Sequence, residues 1–354
     1  MRRLTLCLLG IVALCAGRWR PAPDEVDAIN PDPVVPTPTF ADALWPELPV
    51  DHGPLPDGLA NPSAQGCGAC HETASWSNSA HAQPSDAWRD AAATTNDSPL
   101  CTSCHHPLQA QHATLVVEYN GGPLATAVTV PNPGYDSALA GEYVTCAACH
   151  VRDGAVVGPR GHDAPHPTAQ RTDESCGSCH QYTWPGADTA LYDTVGEWSR
   201  SAWAVEGVGC IDCHDHGLTA RTALSMLLAA PAELTRGEGV ALSLTVQNTG
   251  AGHAVPTGSP WSALLLEVQV VVDEGFVGEA WSTRLERTIQ PEPPYAVTAD
   301  TRLGTLEERT WAVELDLPQS APDGRGHIRV QALRIGPDGT ATPFQVTRVP
   351  VVVY

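Results

Sequence analysis

The stretch VALSLTVQNTGAGHAVPTG, residues 240–258, joins two different patterns. In its first part every second residue is apolar, which places one side of an extended chain against a core. These residues are Val240, Leu242, Leu244 and Val246. In its second part His253 stands between glycines and a proline, a composition typical of a rigid turn. The stretch therefore predicts a β-strand followed by a loop that presents an imidazole.

Similar alternation continues to the end of the chain. It is found in LLLEVQVVV (264–272), RTWAVELDL (309–317), HIRVQALRI (327–335) and VPVVVY (349–354). The turn signals PDGRG and GPDGT separate some of these runs. Regular short strands with such turns predict a β-sandwich of immunoglobulin-like type over residues 231–354. This region contains no cysteine, so a disulfide-pinned immunoglobulin domain is excluded.

The chain has 12 cysteines, and ten of them form five CxxCH units. The units are Cys67–Cys70–His71, Cys101–Cys104–His105, Cys146–Cys149–His150, Cys176–Cys179–His180 and Cys210–Cys213–His214. The remaining two, Cys7 and Cys15, lie near the N-terminus, so none is left over for a disulfide framework. The cysteines therefore indicate a metal or cofactor site and not a fold stabilised by disulfide bonds.

CxxCH is the attachment pattern of c-type haem, in which the two thiols bond the porphyrin and the histidine binds the iron. Structural zinc pairs two CxxC units per metal, and five units do not pair. Thioredoxin-like chemistry requires one CxxC beside a βαβ pattern. The sequence therefore predicts five covalent haems c, with the ten motif cysteines as attachment sites and the five motif histidines as iron ligands.

The five units, together with WSNSAH (76–81), TCAACHVRDG, APHP and CGSCHQY, resemble segments of the bacterial multihaem c-type cytochromes. That group includes the tetrahaem cytochromes that accept electrons from hydroxylamine oxidoreductase. NTGAGHAVPTG is similar to a segment of members with a β appendage. The resemblance implies an α plus irregular multihaem domain, with little regular structure, ahead of the sandwich. It also implies that the histidine of the W-x-x-S-x-H signature, here His81, is an iron ligand.

Further axial ligands are expected among the histidines outside the motifs. His166 lies between prolines, His253 lies in its Gly-flanked loop, and His112 is a third candidate. WSNSAHA (76–82) returns as WSRSAWA (198–204), with Trp203 at the place of His81. Indole does not coordinate iron. The haem iron that a histidine at position 203 would bind therefore takes a ligand from elsewhere or stays five-coordinate.

The N-terminal sequence and the net charge predict where the protein acts. Residues 1–17 predict a secretory signal, and VALC ending at Cys15 leaves open either lipidation of Cys15 or a simple cleavage nearby. Residues 18–62 are proline-rich and predict an extended tether. The net charge of −21 argues against nucleic acid and favours a redox partner with a basic face. A cell-envelope location, periplasmic or anchored to the outer membrane, is expected.

These features predict a signal (1–17), a tether (18–62), a pentahaem domain (63–230) and a β-sandwich (231–354). The expected function is that of a multihaem c-type cytochrome that carries electrons through five haems and not that of an enzyme. Two alternatives remain open at this point. One is a haem enzyme acting on a small nitrogen or sulfur compound at an open haem, and the other is a subunit of an extracellular cytochrome filament.

Overall fold

The computed structural model describes residues 49–83, 99–119, 127–158, 168–170, 174–183, 187–214, 223–290 and 295–354. All of them belong to one compact unit, Thr37–Tyr354. The predicted signal, Cys15 and most of the predicted tether lie outside the described residues. Residues 49–62 of that tether are described, and Val50 forms a parallel β-bridge with Leu108.

The helices of the described chain are short, with four to seven residues each. They are α1 (Ala64–Gly68), α2 (Ala74–Ser77), α3 (Pro99–His105), α4 (Cys146–His150), α5 (Glu174–His180), α6 (Thr194–Ser199), α7 (Ala202–Val205) and α8 (Cys210–Cys213). Two single 3-10 turns accompany them, Gln109–Gln111 and Leu139–Gly141. None of the helices in the described chain has the length and apolar character needed to cross a bilayer.

Small β-structures link these helices. β1 (Thr114–Tyr119) pairs with β2 (Ala127–Pro131) as an antiparallel ribbon. β3, β4 and β5 form a second small sheet, and β6 pairs with β7. Their bounds are Val151–Arg152 (β3), Ala155–Gly158 (β4), Thr168–Gln170 (β5), Gln181–Tyr182 (β6) and Tyr192–Asp193 (β7).

The second half of the chain is a two-layer β-sandwich. One sheet has the order β14-β10-β8, and the other has the order β13-β12-β11-β15-β16-β9. The strands are β8 (Leu224–Ala229), β9 (Glu233–Leu234), β10 (Gly239–Asn248), β11 (Ala263–Val272), β12 (Gly275–Ile289), β13 (Val297–Asp300), β14 (Glu308–Asp316), β15 (Gly324–Ile335) and β16 (Ala341–Val353). β10 belongs to the first sheet and β11 to the second, so the chain between them passes from one layer to the other.

The core of the sandwich follows from the alternation in the sequence. Along β10 the buried and less buried residues alternate, and Leu244 and Val246 are completely buried. Met226 of β8 joins the same apolar cluster, so its thioether is a packing group of the sandwich. Leu266 and Ile328 fill the centre from the second sheet.

The fold class predicted from the sequence, an α plus irregular domain ahead of an immunoglobulin-like sandwich, is wrong. The described chain is mostly β and includes a β-sandwich-like fold, and strands also run through the part that was expected to have little regular structure. The reason is physical: strands of two to six residues are too short to leave a readable period of two in the sequence. Among the described residues of that part, the longest helices have seven residues.

Candidate functional site

Four of the five CxxCH units lie wholly or largely on one short helix, whereas α1 ends at Gly68, before Cys70 and His71 of the first unit. Cysteines at i and i+3 and histidine at i+4 share one face of a helical turn, so the units on α4 and α5 each present two thiols and an imidazole on the same side. α3 and α5 end at His105 and His180, and α8 ends one residue before His214. No disulfide joins the cysteines that the structure describes.

The thiols of the first and third units meet. Cys67 and Cys146 are hydrogen bonded side chain to side chain, although 79 positions of sequence separate them. The Cys146 thiol lowers the pKa of Cys67 to about 7, while the same hydrogen bond and burial raise the pKa of Cys146. Cys67 is therefore the more acidic thiol of the pair.

Two histidines from outside the motifs face histidines of the motifs. The ring centres of His81 and His180 are 6.1 Å apart, with planes inclined by 39°. The ring centres of His214 and His253 are 6.2 Å apart, with planes inclined by 17°. We call these four residues the two imidazole pairs.

The imidazole pairs lie close together and are partly buried. Burial, together with the charges of His81, His214 and His253, lowers the pKa of His180 to about 4. Burial also lowers the pKa values of His81 and His253. His81, His180 and His253 are therefore neutral at pH 7, which is the form of imidazole that binds metals.

His253 has one ring nitrogen committed to the backbone. Its Nδ1 lies 2.9 Å from the carbonyl oxygen of Ala254, so Nδ1 is the protonated nitrogen and Nε2 keeps its lone pair. The backbone around it is also held. Asn248, which is completely buried, donates to the carbonyl of His253 and accepts from the amide of Ala251. We call residues 248–258 the His253 loop.

A buried ionic cluster joins the His253 loop to α6. Glu197 accepts from the amide of Ala254 at 3.0 Å and from Thr257 Oγ1 at 3.3 Å. Its other oxygen pairs with Arg302 at 2.6 Å, and the two side chains are only 12% and 9% exposed. Arg302 also pairs with Asp300 at 2.7 Å.

Arg287 adds a further bond across the same junction. Its guanidinium donates to the carbonyls of Ala190 and Leu191 at 2.8 and 3.1 Å. These residues could not be predicted from the sequence, because ionic groups spread over a hundred positions leave no local pattern. The only available signal was the charge of Glu197 beside the repeated WSRSAWA.

The other predicted ligands have different surroundings or are not described. His112 Nε2 lies 2.5 Å from the carbonyl of His106, and the two rings meet edge to face at 6.5 Å. His105 is partly buried, and burial together with neighbouring histidines lowers its pKa to about 4. His71 is exposed and His150 is partly buried. His166 lies outside the described residues. Within the described residues no three His, Cys, Asp or Glu side chains converge on a position for one metal ion.

No family model matches the chain, and no curated protein matches it. Among solved structures, it is similar to a CARDB domain from Pyrococcus furiosus determined with di-metal ions, at 15% identity and a TM-score of 0.23, over 37% of this chain and 87% of that one. It is similar to the C-terminal domain of Wzt at 10% identity and a TM-score of 0.24, over 38% and 75%. A β-glucosidase from Listeria innocua in complex with glucose matches at 14% identity and a TM-score of 0.21, over 38% of this chain and 16% of that one.

These findings correct two predictions. The resemblance to multihaem c-type cytochromes is contradicted, because no family model or curated protein supports it and no group of three metal-binding side chains occurs in the described residues. The predicted cofactor, five covalent haems c, is withdrawn with it, because no group of three metal-binding side chains occurs in the described residues. The descriptions cytochrome, multihaem, haem and iron are withdrawn on the same findings. The low TM-scores give no argument about what this chain does.

Proposed function

We propose that this chain is an exported electron-transfer protein in which each imidazole pair, His81–His180 and His214–His253, holds one redox-active metal centre. The observation that carries the proposal is the repeated spacing of 6.1 and 6.2 Å between ring centres. The two pairs come from unrelated parts of the sequence, yet each sets one motif histidine against one histidine from elsewhere.

The spacing is the one that a shared metal requires. A metal–imidazole bond is about 2.0–2.1 Å long, and the bonded nitrogen lies about 1.1 Å from the centre of its ring. Two imidazoles on opposite sides of one metal therefore have ring centres about 6.3 Å apart. Aromatic rings in edge contact have ring centres at similar distances. The spacing therefore indicates a shared metal only together with the protonation state of the ring nitrogens.

Protonation state and hydrogen bonding favour ligation over a simple ring contact. The lowered pKa values of His81, His180 and His253 keep these imidazoles neutral. The bond from His253 Nδ1 to the Ala254 carbonyl orients the ring and leaves Nε2 as the donor atom. Imidazole is a good ligand for copper and nickel. Two protein ligands per centre leave the remaining positions to solvent or to a bound group.

Electron transfer is the function that two such centres support best. Both pairs share one interior, since the charges of His214 and His253 act on His180. A net charge of −21 favours a partner protein with a basic face. The leader and the proline-rich segment support a place in the cell envelope.

Metal analysis and spectroscopy of the exported full-length protein test the proposal. We expect at least two redox-active metal atoms per chain, an electron paramagnetic resonance (EPR) signal typical of nitrogen ligation, and reversible reduction in film voltammetry. Mass spectrometry of the denatured protein identifies any group bonded to the CxxCH thiols. A protein that holds no redox-active metal after export would refute the proposal. Turnover of nitrite or hydroxylamine would favour the alternative function, that of an enzyme.

Ligand replacement assigns the centres. His253→Gly should change the EPR signal of one centre, and free imidazole added to that variant should restore it. His81→Gly should do the same to the other centre. His327→Gln is the matched control, because His327 lies in β15 of the same sandwich and takes no part in a pair. Equal spectra for His253→Gly and His327→Gln would remove His253 from the site.

A further inference from the structure

The two copies of the repeated segment, WSNSAH (76–81) and WSRSAW (198–203), clamp equivalent parts of the chain. The indole Nε1 of Trp76 donates to the carbonyl of Val144 at 2.9 Å, and that of Trp198 donates to the carbonyl of Val208 at 2.8 Å. Each valine stands two residues before the first cysteine of a CxxCH unit, the third unit and the fifth. The sequence repeat is therefore a structural repeat.

The sixth residue of each copy also occupies an equivalent place. The amide of Val144 donates to the carbonyl of His81 at 3.2 Å, and the amide of Val208 donates to the carbonyl of Trp203 at 2.9 Å. From this place His81 reaches His180, the histidine of the unit that comes next in the chain. Residues 215–354 contain no further CxxCH unit, and the sixth residue of the second copy is a tryptophan.

The Trp203 side chain contacts the His253 loop. A methyl group built on Gly252 would lie 3.1 Å from Cδ1 of Trp203 and 3.2 Å from Cδ1 of Trp198. The backbone of the loop therefore rests directly on the two indoles, and a side chain at position 252 would require them to move by a few tenths of an ångström. The Trp203 Nε1 is buried without a hydrogen-bond partner, so the indole acts here as an apolar surface.

We infer that Trp203 is a positioning residue, which seats the His253 loop so that His253 faces His214. The role of His253 as a metal ligand rests on the proposed function. The contact between Trp203 and the His253 loop does not depend on any metal. In the first copy the sixth residue is itself a ligand of the centre. In the second copy the sixth residue, Trp203, contacts Gly252. It thereby supports the next residue, His253, which is the ligand that the β-sandwich supplies.

Hydrogen exchange of the full-length chain, followed by mass spectrometry, tests the seat. The amides of Ala251, Ala254 and Val255 are all hydrogen bonded in the folded loop. Trp203→Ala should raise their exchange rates about tenfold or more. Trp203→Phe keeps an aromatic ring without the unpaired N–H and should retain slow exchange. Trp281→Ala is the matched control, since it removes an indole packed elsewhere on the sandwich core.

A second measurement tests whether the contact of Trp203 with the His253 loop affects the metal centre proposed at the His214–His253 pair. Free imidazole should displace His253 at a lower concentration in Trp203→Ala than in wild type or Trp203→Phe, as seen in the EPR signal of the centre that His253→Gly alters. Unchanged exchange of the loop amides in Trp203→Ala would overturn the inference. If the protein proves to hold no metal, the proposed function fails, and the exchange experiment still decides whether Trp203 seats the loop.

Discussion

Glu197→Gln should weaken the attachment of the His253 loop more than any exposed acidic substitution. The Glu197 carboxylate accepts a charged bond from Arg302 at 2.6 Å and a backbone bond from Ala254 at 3.0 Å. An amide of the same shape keeps one acceptor oxygen but loses the charge opposite a buried guanidinium. Arg302 would keep Asp300 as its partner, although that side chain is 41% exposed.

The expected cost follows from these contacts. Breaking a buried ion pair costs about 3–5 kcal/mol when one partner is left alone. Because Arg302 retains Asp300, we expect a smaller loss in the free energy of unfolding, about 2 kcal/mol. With a urea slope of about 1.5 kcal/mol per molar, the midpoint should fall by roughly 1.3 M.

Urea denaturation of the full chain, followed by circular dichroism, measures the change. Glu286→Gln is the matched control: Glu286 pairs with Arg284 at 2.9 Å, but both side chains are exposed, so the loss should stay below about 1 kcal/mol. A double-mutant cycle with Arg302→Met isolates the coupling between the two side chains. Equal losses for Glu197→Gln and Glu286→Gln, or a coupling energy near zero, would refute the reasoning.

Three further predictions concern the same junction. Asn248→Ala should lower the free energy of unfolding by about 3 kcal/mol, measured by thermal denaturation, because it leaves several buried backbone groups unpaired; a loss below about 1 kcal/mol would contradict this. Gly252→Ala should displace the loop from Trp203 and speed amide exchange there, whereas Gly141→Ala, with no atom within 4 Å of the added carbon, should leave that exchange unchanged. Burial alone would raise the pKa of Asp300, but neighbouring guanidinium groups lower it below 3.8, so its stabilisation is complete above that pH and is lost as the pH falls through the lowered value. Asp300→Asn should flatten the acid limb of a stability–pH curve, and a curve parallel to wild type would count against it.

Part of this arrangement could be predicted from local sequence. The alternation of Val240 to Val246 leads directly to β10, because a strand buried on one face must repeat every two residues. A histidine between glycines in GAGHAVPTG indicated a loop able to present an imidazole, and the structure sets His253 opposite His214. Both signals are confined to fewer than twenty residues, which is the range that pattern reasoning covers.

Other parts could not be predicted in this way. The strands β3, β6 and β7 have two residues each, and their pairing depends on tertiary contacts. The contact of Arg302 with Glu197 joins residues 105 positions apart, so no local rule reveals it. The expectation for His112 did not anticipate that its Nε2 would lie against the carbonyl of His106, since sequence spacing says nothing about which backbone group competes for a ring nitrogen.

The position of His253 in the loop that connects β10 to β11 explains why a β domain suits the supply of a second imidazole. A ligand on a flexible segment must give up backbone freedom when it binds, at about 1–2 kcal/mol for each residue that becomes fixed. The His253 loop gives up that freedom when the sandwich folds, since Asn248 holds it from inside and the amide and carbonyl of Val255 bond to Leu303. Glu197 and Trp203 then fix its orientation towards α8. The folding of the sandwich and the geometry of the His214–His253 pair are therefore coupled, and a substitution deep in the sandwich core should loosen that pair before it affects His81 and His180.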